Sequence, residues 1–221
     1  MTVMSTSRRR GGCQLVMAAA AWGSLALSLA AVAGATHRLP KQQDTASGTT
    51  RANAALLTTN DLGQGWFSDP PPNPLHIIAP CRGRLDPHES DLVEVGASSA
   101  FFNNGPNVLM QTTSVYASGF DARTAWSRTL AALPLDCMRT ALAHDGIAPE
   151  QSGALTSLKG VTAYRVVGSF EARGRRIVMY FDQLLVHRGR AATRVFLTSY
   201  TNPFSRAFET RLERTLLRRL T

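Results

Sequence analysis

The chain of 221 residues has room for one domain with a sizeable core, and not for two full ones. Its formal charge of +9 is uneven: Arg8, Arg9 and Arg10 carry the first 35 residues, residues 36–158 are net acidic, and residues 159–221 hold 13 basic against four acidic groups. Arginine outnumbers lysine 22 to 2, a bias that reads as the coding bias of a GC-rich genome more than as a selected arginine surface, and the basic segments carry no nucleic-acid reading motif.

After the three arginines, Cys13 to Ala35 is an uncharged run of 23 residues rich in Ala and Leu, closed by His37, Arg38 and Pro40. This pattern predicts residues 1–35 as an export signal, with small-residue cleavage options at Ala31-Val32-Ala33 or Ala33-Gly34-Ala35. As a helix the run would reach about 35 Å, so an uncleaved membrane anchor fits equally. Either way the remainder is expected outside the cytoplasm, secreted or anchored to the cell membrane. Residues 36–53, poor in large apolar side chains, are expected to be a flexible linker, with the folded domain spanning 54–221.

Leu56 to Gly63 predicts a short helix with Thr58 as N-cap and Gly63 as terminator, followed by Trp66 and Phe67 packed onto the domain. The proline-rich stretch from Asp69 to Cys81 reads as loop or edge. Ser98–Asn103 and Val108–Ala117 predict a hairpin around Asn104-Gly105-Pro106. Phe120-Asp121 then signals a helix whose stripe is Ala122, Ala125, Trp126, Thr129, Leu130 and Leu133; a second segment follows Pro134 and ends at Asp145-Gly146. Ile147–Lys159 reads as mostly turn.

Val161 to Tyr200 predicts three antiparallel strands joined at Arg173-Gly174-Arg175 and Arg188-Gly189-Arg190. The central run, Ile177–Val186, is apolar on both alternating faces, as in a strand covered on both sides. Asn202-Pro203 predicts a helix start, and Phe204, Phe208, Leu212, Leu216 and Leu220 recur every fourth residue, leaving an arginine-rich face for solvent. These elements predict an α+β fold: a central antiparallel sheet of about five strands flanked by helices.

With Cys13 in the apolar run, Cys81 and Cys137 are expected to form a disulfide in an exported domain, although a redox pair or metal site is the functional alternative. The five histidines show no metal-ligand spacing, so no metal or other cofactor is expected. Asp182 interrupts the apolar strand and requires a partner such as Arg165 or Arg194 on a neighbouring strand, a shifted pKa or a sheet edge reached by water, with a polar anchor at the base of a ligand pocket as the sharper alternative. Tyr164, Tyr180 and Trp126, with Trp66 and Tyr200, are candidate pocket-lining aromatics; core packing is their plainer role.

The order of an export segment, Leu56-Leu57-Thr-Thr-Asn-Asp-Leu62-Gly-Gln-Gly-Trp66, an Ala-rich helix leading to Cys137, and strands passing through Val186-His-Arg-Gly189 to a final helix resembles actinobacterial extracytoplasmic sensor domains. The external domain of the mycobacterial receptor kinase PknH is of this kind. The resemblance covers residues 54–221 and implies a sheet with helices against it and a cleft for an envelope ligand. It implies no catalytic residue, and this chain has no kinase domain. The expectation is therefore a non-enzymatic, ligand-binding or sensor-like domain of an exported or membrane-tethered envelope protein, with an envelope molecule or protein as partner. The alternatives are a surface protein meeting anionic lipid or polymer through its arginine-rich C-terminal half, and a secreted hydrolase in which Ser114, Ser169 or Ser199 lies beside His144 or His187.

Overall fold

A computed structural model of the chain describes residues 41–70, 91–131 and 134–220. The expected export or anchor segment, most of the proline-rich stretch and Cys81 lie outside the described residues. Among the described residues no helix is long and apolar enough to cross a membrane.

The architecture is α+β, as the patterning predicts, but its open sheet has eight strands instead of about five. In chain order the elements are β1 (Lys41–Gln42), α1 (Ala46–Ala54), α2 (Thr59–Leu62), β2 (Phe67–Asp69), β3 (Val93–Asn104), β4 (Asn107–Tyr116), α3 (Gly119–Ala131), α4 (Pro134–His144), β5 (Ala148–Leu155), β6 (Val161–Ala172), β7 (Arg175–Arg188), β8 (Ala191–Ser199) and α5 (Arg206–Arg219). The sheet runs β1-β3-β4-β8-β7-β6-β5, with β2 paired to β3. Only β1 and β3 pair in parallel; every other pair is antiparallel.

The predicted hairpin and three-stranded meander form at their expected places, and β8 joins them by pairing with β4. Three strands were not expected. β5 replaces a stretch read as turn, because it is an exposed edge: it contains Pro149 and Gly153 and buries too few side chains to show alternation. β1 is two residues long, and β2 borrows the end of β3. Phe67, expected to pack, is 65 % exposed, whereas its neighbour Trp66 is buried.

The stretch expected as linker is folded from Lys41 onward. Thr45 caps α1 by accepting from the Gly48 amide at 3.0 Å. The helix carries no large apolar residue and docks through small ones, with Gly48 and Ala52 buried. A β-carbon on Gly48 would lie 2.1 Å from the Val95 carbonyl oxygen, and one on Gly96 would lie 2.2 Å from the Gly48 carbonyl carbon. Helix and strand thus touch backbone to backbone, where glycine alone fits. The fit coincides with a register shift between Glu94 and Gly96.

The α2 segment has the expected cap: the Asp61 carboxylate accepts from the Thr58 amide at 2.7 Å and hydroxyl at 2.8 Å, and Gly63 leaves the helix with φ of 99°. Between α1 and α2 the Gln111 side chain satisfies the backbone, accepting from the Leu57 amide at 2.7 Å and donating to the Ala55 carbonyl at 3.0 Å. Helix α5 starts later than Asn202-Pro203 predicts. Its cap is Ser205, whose hydroxyl accepts from the Phe208 amide, and residues 201–204 remain as a loop. In α3 the corresponding bond is made by Ser118, which accepts from the Asp121 amide.

Helices cover both faces of the sheet. On one face α1, α2 and α5 enclose the main core, including Leu109, Leu184, Val186, Val195, Leu197, Leu212 and Leu216. On the other, α3 packs Ala122 and Ala125 near Tyr116, and α4 packs Met138 and Leu142 on Val166. Covering both faces accounts for the doubly apolar pattern of β7.

Candidate functional site

Asp182 lies at the centre of β7, fully buried, opposite Arg165 of β6 in the strand register. Arg165 grips it with two parallel bonds, Nε to Oδ1 at 2.6 Å and Nη2 to Oδ2 at 2.7 Å. Of the two sequence candidates for a partner, Arg165 therefore takes the role. Fork geometry of this kind is among the stronger charge-assisted contacts. The same Nη2 reaches two elements further away: it donates to Glu209 Oε1 on α5 at 2.6 Å and to the Phe204 carbonyl at 3.1 Å.

The arrangement extends along α5. Arg206 pairs with Glu209 at 3.0 Å and with Glu213 at 2.7 Å, and Glu213 Oε2 accepts from the Leu158 amide at 2.9 Å. Three buried carboxylates thus share two guanidiniums, so the group is one positive charge short. The deficit falls on Glu209: burial, together with the like charge of Asp182, pushes its carboxyl up to about 7. The arginine-rich face of α5 is solvated as expected at Arg211, Arg214 and Arg218, although some of its guanidiniums also bond inward. Arg211 donates to the Leu62 carbonyl and lies over the Phe208 ring, and Arg219 bonds Asp61 and the Leu56 carbonyl.

Above this lattice lies a groove of about 360 Å³ lined by Trp66, Asn107, Phe204, Phe208 and the loop of residues 201–205. Trp66 stacks near Phe204 and Phe208, with ring centres 6.4 and 6.1 Å apart, and the two phenylalanines are 5.4 Å apart. Asn107, Thr201, Asn202 and Ser205 add amide and hydroxyl groups to the lining. The Arg165 bond to the Phe204 carbonyl ties the wall of the groove to the charges below it.

The four residues proposed for one pocket do not meet. Asp182 and Tyr180, two apart on β7, share the face covered by α5. Tyr164 shares the opposite face with Val166, under α4, and Trp126 of α3 stacks on His187 with ring centres 5.8 Å apart. Strand alternation separates the pairs. The groove is walled instead by Phe204 and Phe208, whose stripe also packs on the main core as expected, and by Asn107 beside a hairpin turn.

Cys137 is disulfide-bonded; its expected partner Cys81 lies outside the described residues. Among the described residues no group of three or more potential metal ligands is assembled. Among the described residues no hydrogen bond joins Ser114, Ser169 or Ser199 to His144 or His187. Ser114 and His187 flank Ala192 in one cross-strand row, two strand spacings or roughly 10 Å apart. Ser169 bonds Glu150, and His144 bonds Asp145.

No family model and no curated protein matches the chain. Among solved structures it is similar to LpqN of Mycobacterium tuberculosis, a protein involved in cell envelope biogenesis, with 12 % identity over 72 % of this chain and 76 % of that one, at a TM-score of 0.32. It is also similar to PA94 of Pseudomonas aeruginosa, a protein of unknown function, with 19 % identity over 47 % of this chain and 69 % of that one, at 0.23. Likeness this distant carries no argument about function.

Proposed function

We propose that the domain is a non-enzymatic binding module of an exported or membrane-tethered cell-envelope protein, and that its ligand lies in the Trp66–Phe204–Phe208 groove. The observation that carries this reading is a stacked aromatic wall in a groove also lined by amide and hydroxyl side chains, with the Phe204 carbonyl held by Arg165. A groove of this size and mixed lining suits a small molecule with one apolar face and several polar groups. The uncharged run at 13–35 and the disulfide at Cys137 both fit an oxidising, extracytoplasmic setting. The resemblance to sensor domains of the PknH kind fits the same reading.

The alternative, an anionic surface met through the arginine-rich C-terminal half, retains the exposed Arg211, Arg214 and Arg218 of α5, while Arg206 and Arg219 are tied to carboxylates of the chain itself.

The test is native mass spectrometry of the full chain purified from its own host, beside the Asn107→Ala and Phe204→Ala variants. We expect a reproducible bound small molecule in the wild type, depleted in both variants. A clean apo mass for the wild type, or equal occupancy in all three, would overturn the groove as the site.

A further inference from the structure

The β7–β8 turn gathers arginines from three directions. Gly189, with φ of 61°, turns the chain between Arg188 and Arg190. From one face of the sheet, Arg51 in the last turn of α1 brings Nη2 to 3.7 Å from where a β-carbon of Gly189 would stand. From the other, the N-terminus of α3 approaches: a β-carbon on Gly119 would lie 3.7 Å from the Gly189 carbonyl oxygen and 3.4 Å from Arg123 Nη1. The Arg123 guanidinium is therefore folded back over the positive end of its own helix, where the backbone dipole disfavours a cation and favours an anion.

Among the described residues Arg51, Arg123, Arg188 and Arg190 enter no ion pair, and Asp121, in the first turn of α3, enters none either. Arg188 and Arg190 donate only to backbone carbonyls, of Leu217 and Tyr116, at 2.8 Å each. Arg51 Nε is buried with no acceptor, and His187 Nε2, two residues before the turn, is also buried without a partner. Buried polar atoms in folded proteins are nearly always satisfied, so the Arg51 Nε beside the turn points to a missing acceptor, whereas His187, stacked on Trp126, belongs to the opposite face of the sheet. Burial and the nearby Arg123 hold His187 below its ordinary value, toward the neutral ring.

We propose that this turn is the centre of an oxyanion site in which Arg51 and Arg123, assisted by Arg190, hold a phosphate group. Guanidinium forks match the oxygen spacing of phosphate, and an anion here supplies both the missing counter-charge and an acceptor for Arg51 Nε. The site is separate from the aromatic groove and does not depend on it.

The experiment measures binding of two probes by the full chain in phosphate-free buffer. One probe is inorganic phosphate, followed by calorimetry; the other is phosphatidylcholine vesicles with and without phosphatidylglycerol, followed by co-sedimentation. The R51Q/R123Q double variant is compared with R173Q/R175Q at the β6–β7 turn, which removes the same charge elsewhere. We expect R51Q/R123Q to weaken binding about tenfold or more, the scale of lost charge-assisted bonds, and R173Q/R175Q to change it less than about twofold. Comparing variants cancels any contribution of the N-terminal segment to vesicle binding. Loss in the phosphate arm assigns a soluble oxyanion, and loss confined to phosphatidylglycerol vesicles assigns a lipid headgroup. Failure of the wild type to bind either probe, or equal losses in both double variants, would overturn the site. Matching thermal unfolding of the variants and wild type confirms that the comparison is made on folded protein.

Discussion

The arginines under α5 and those around Gly189 are the same side chain in opposite circumstances. Arg165 and Arg206 are locked to three buried carboxylates, while Arg51, Arg123, Arg188 and Arg190 have no acidic partner among the described residues. The first set is internal counter-charge, fixed once folding is complete. The second is charge left available. Net charge and arginine content, the quantities legible in a sequence, do not separate the two, because the distinction is made by acidic residues on other elements.

The largest effect expected from breaking this contrast is at Arg165. Arg165→Met leaves Asp182 and Glu209 without their shared cation, and uncompensated buried charge costs about 3–5 kcal/mol; chemical denaturation at pH 7 measures it. Next comes the charge deficit. Glu209 titrates near 7 in the folded protein against an ordinary value of 4.5, so the native state holds a proton that the unfolded chain has released. Stability is therefore expected to fall as pH rises from about 4.5 to 7, and Glu209→Gln is expected to flatten that slope in denaturation series across the window.

At the other Arg-Gly-Arg turn the constraint on an arginine lies in its backbone. Arg173 has a φ of 53°, in the left-handed region that costs an ordinary side chain about 1 kcal/mol. Arg173→Asn is expected to raise stability by up to that amount, read as a shift in the unfolding midpoint. The smallest change belongs to the Gly189 set: R51Q/R123Q is expected to leave stability within about 0.5 kcal/mol in phosphate-free buffer, since no internal ion pair is lost. A loss of several kcal/mol there would erase the contrast with Arg165.

Much of the fold was legible where side chains alternate or recur strongly. The β6–β8 meander, the β3–β4 hairpin and the α5 stripe follow from apolar pattern, and even the Arg165–Asp182 pair was among the choices that an interrupted strand leaves open. What escaped was structure held by something other than large apolar groups. Strand β5 is added through backbone pairing on an exposed edge, and α1 docks through Gly48 and Ala52 where a hydrophobic pattern would be sought. The groove was missed for a different reason. Phe204 and Phe208 fit a core stripe, and only the late start of α5 at Ser205 turns the preceding loop into a wall. Even the two Arg-Gly-Arg tripeptides are built differently. Arg173 and Gly174 form the first connection, both with positive φ, whereas Gly189 and Arg190 form the second, with glycine leading. One tripeptide thus supplies two turn types, according to which residue ends the strand.

The backbone contact between α1 and β3 also governs how the domain answers to mechanical load. A pull on the chain ahead of Lys41 meets first the amides of Lys41, Gln43 and Thr45, each bonded at 2.8 Å to a carbonyl of residues 92–95. Behind them stands the Gly48–Gly96 fit, which has close contact but no large side chain to resist separation. Tension from that end would peel away β1 and α1 before it reached the long antiparallel ladders, so this first segment acts as a fuse that spares the rest of the sheet.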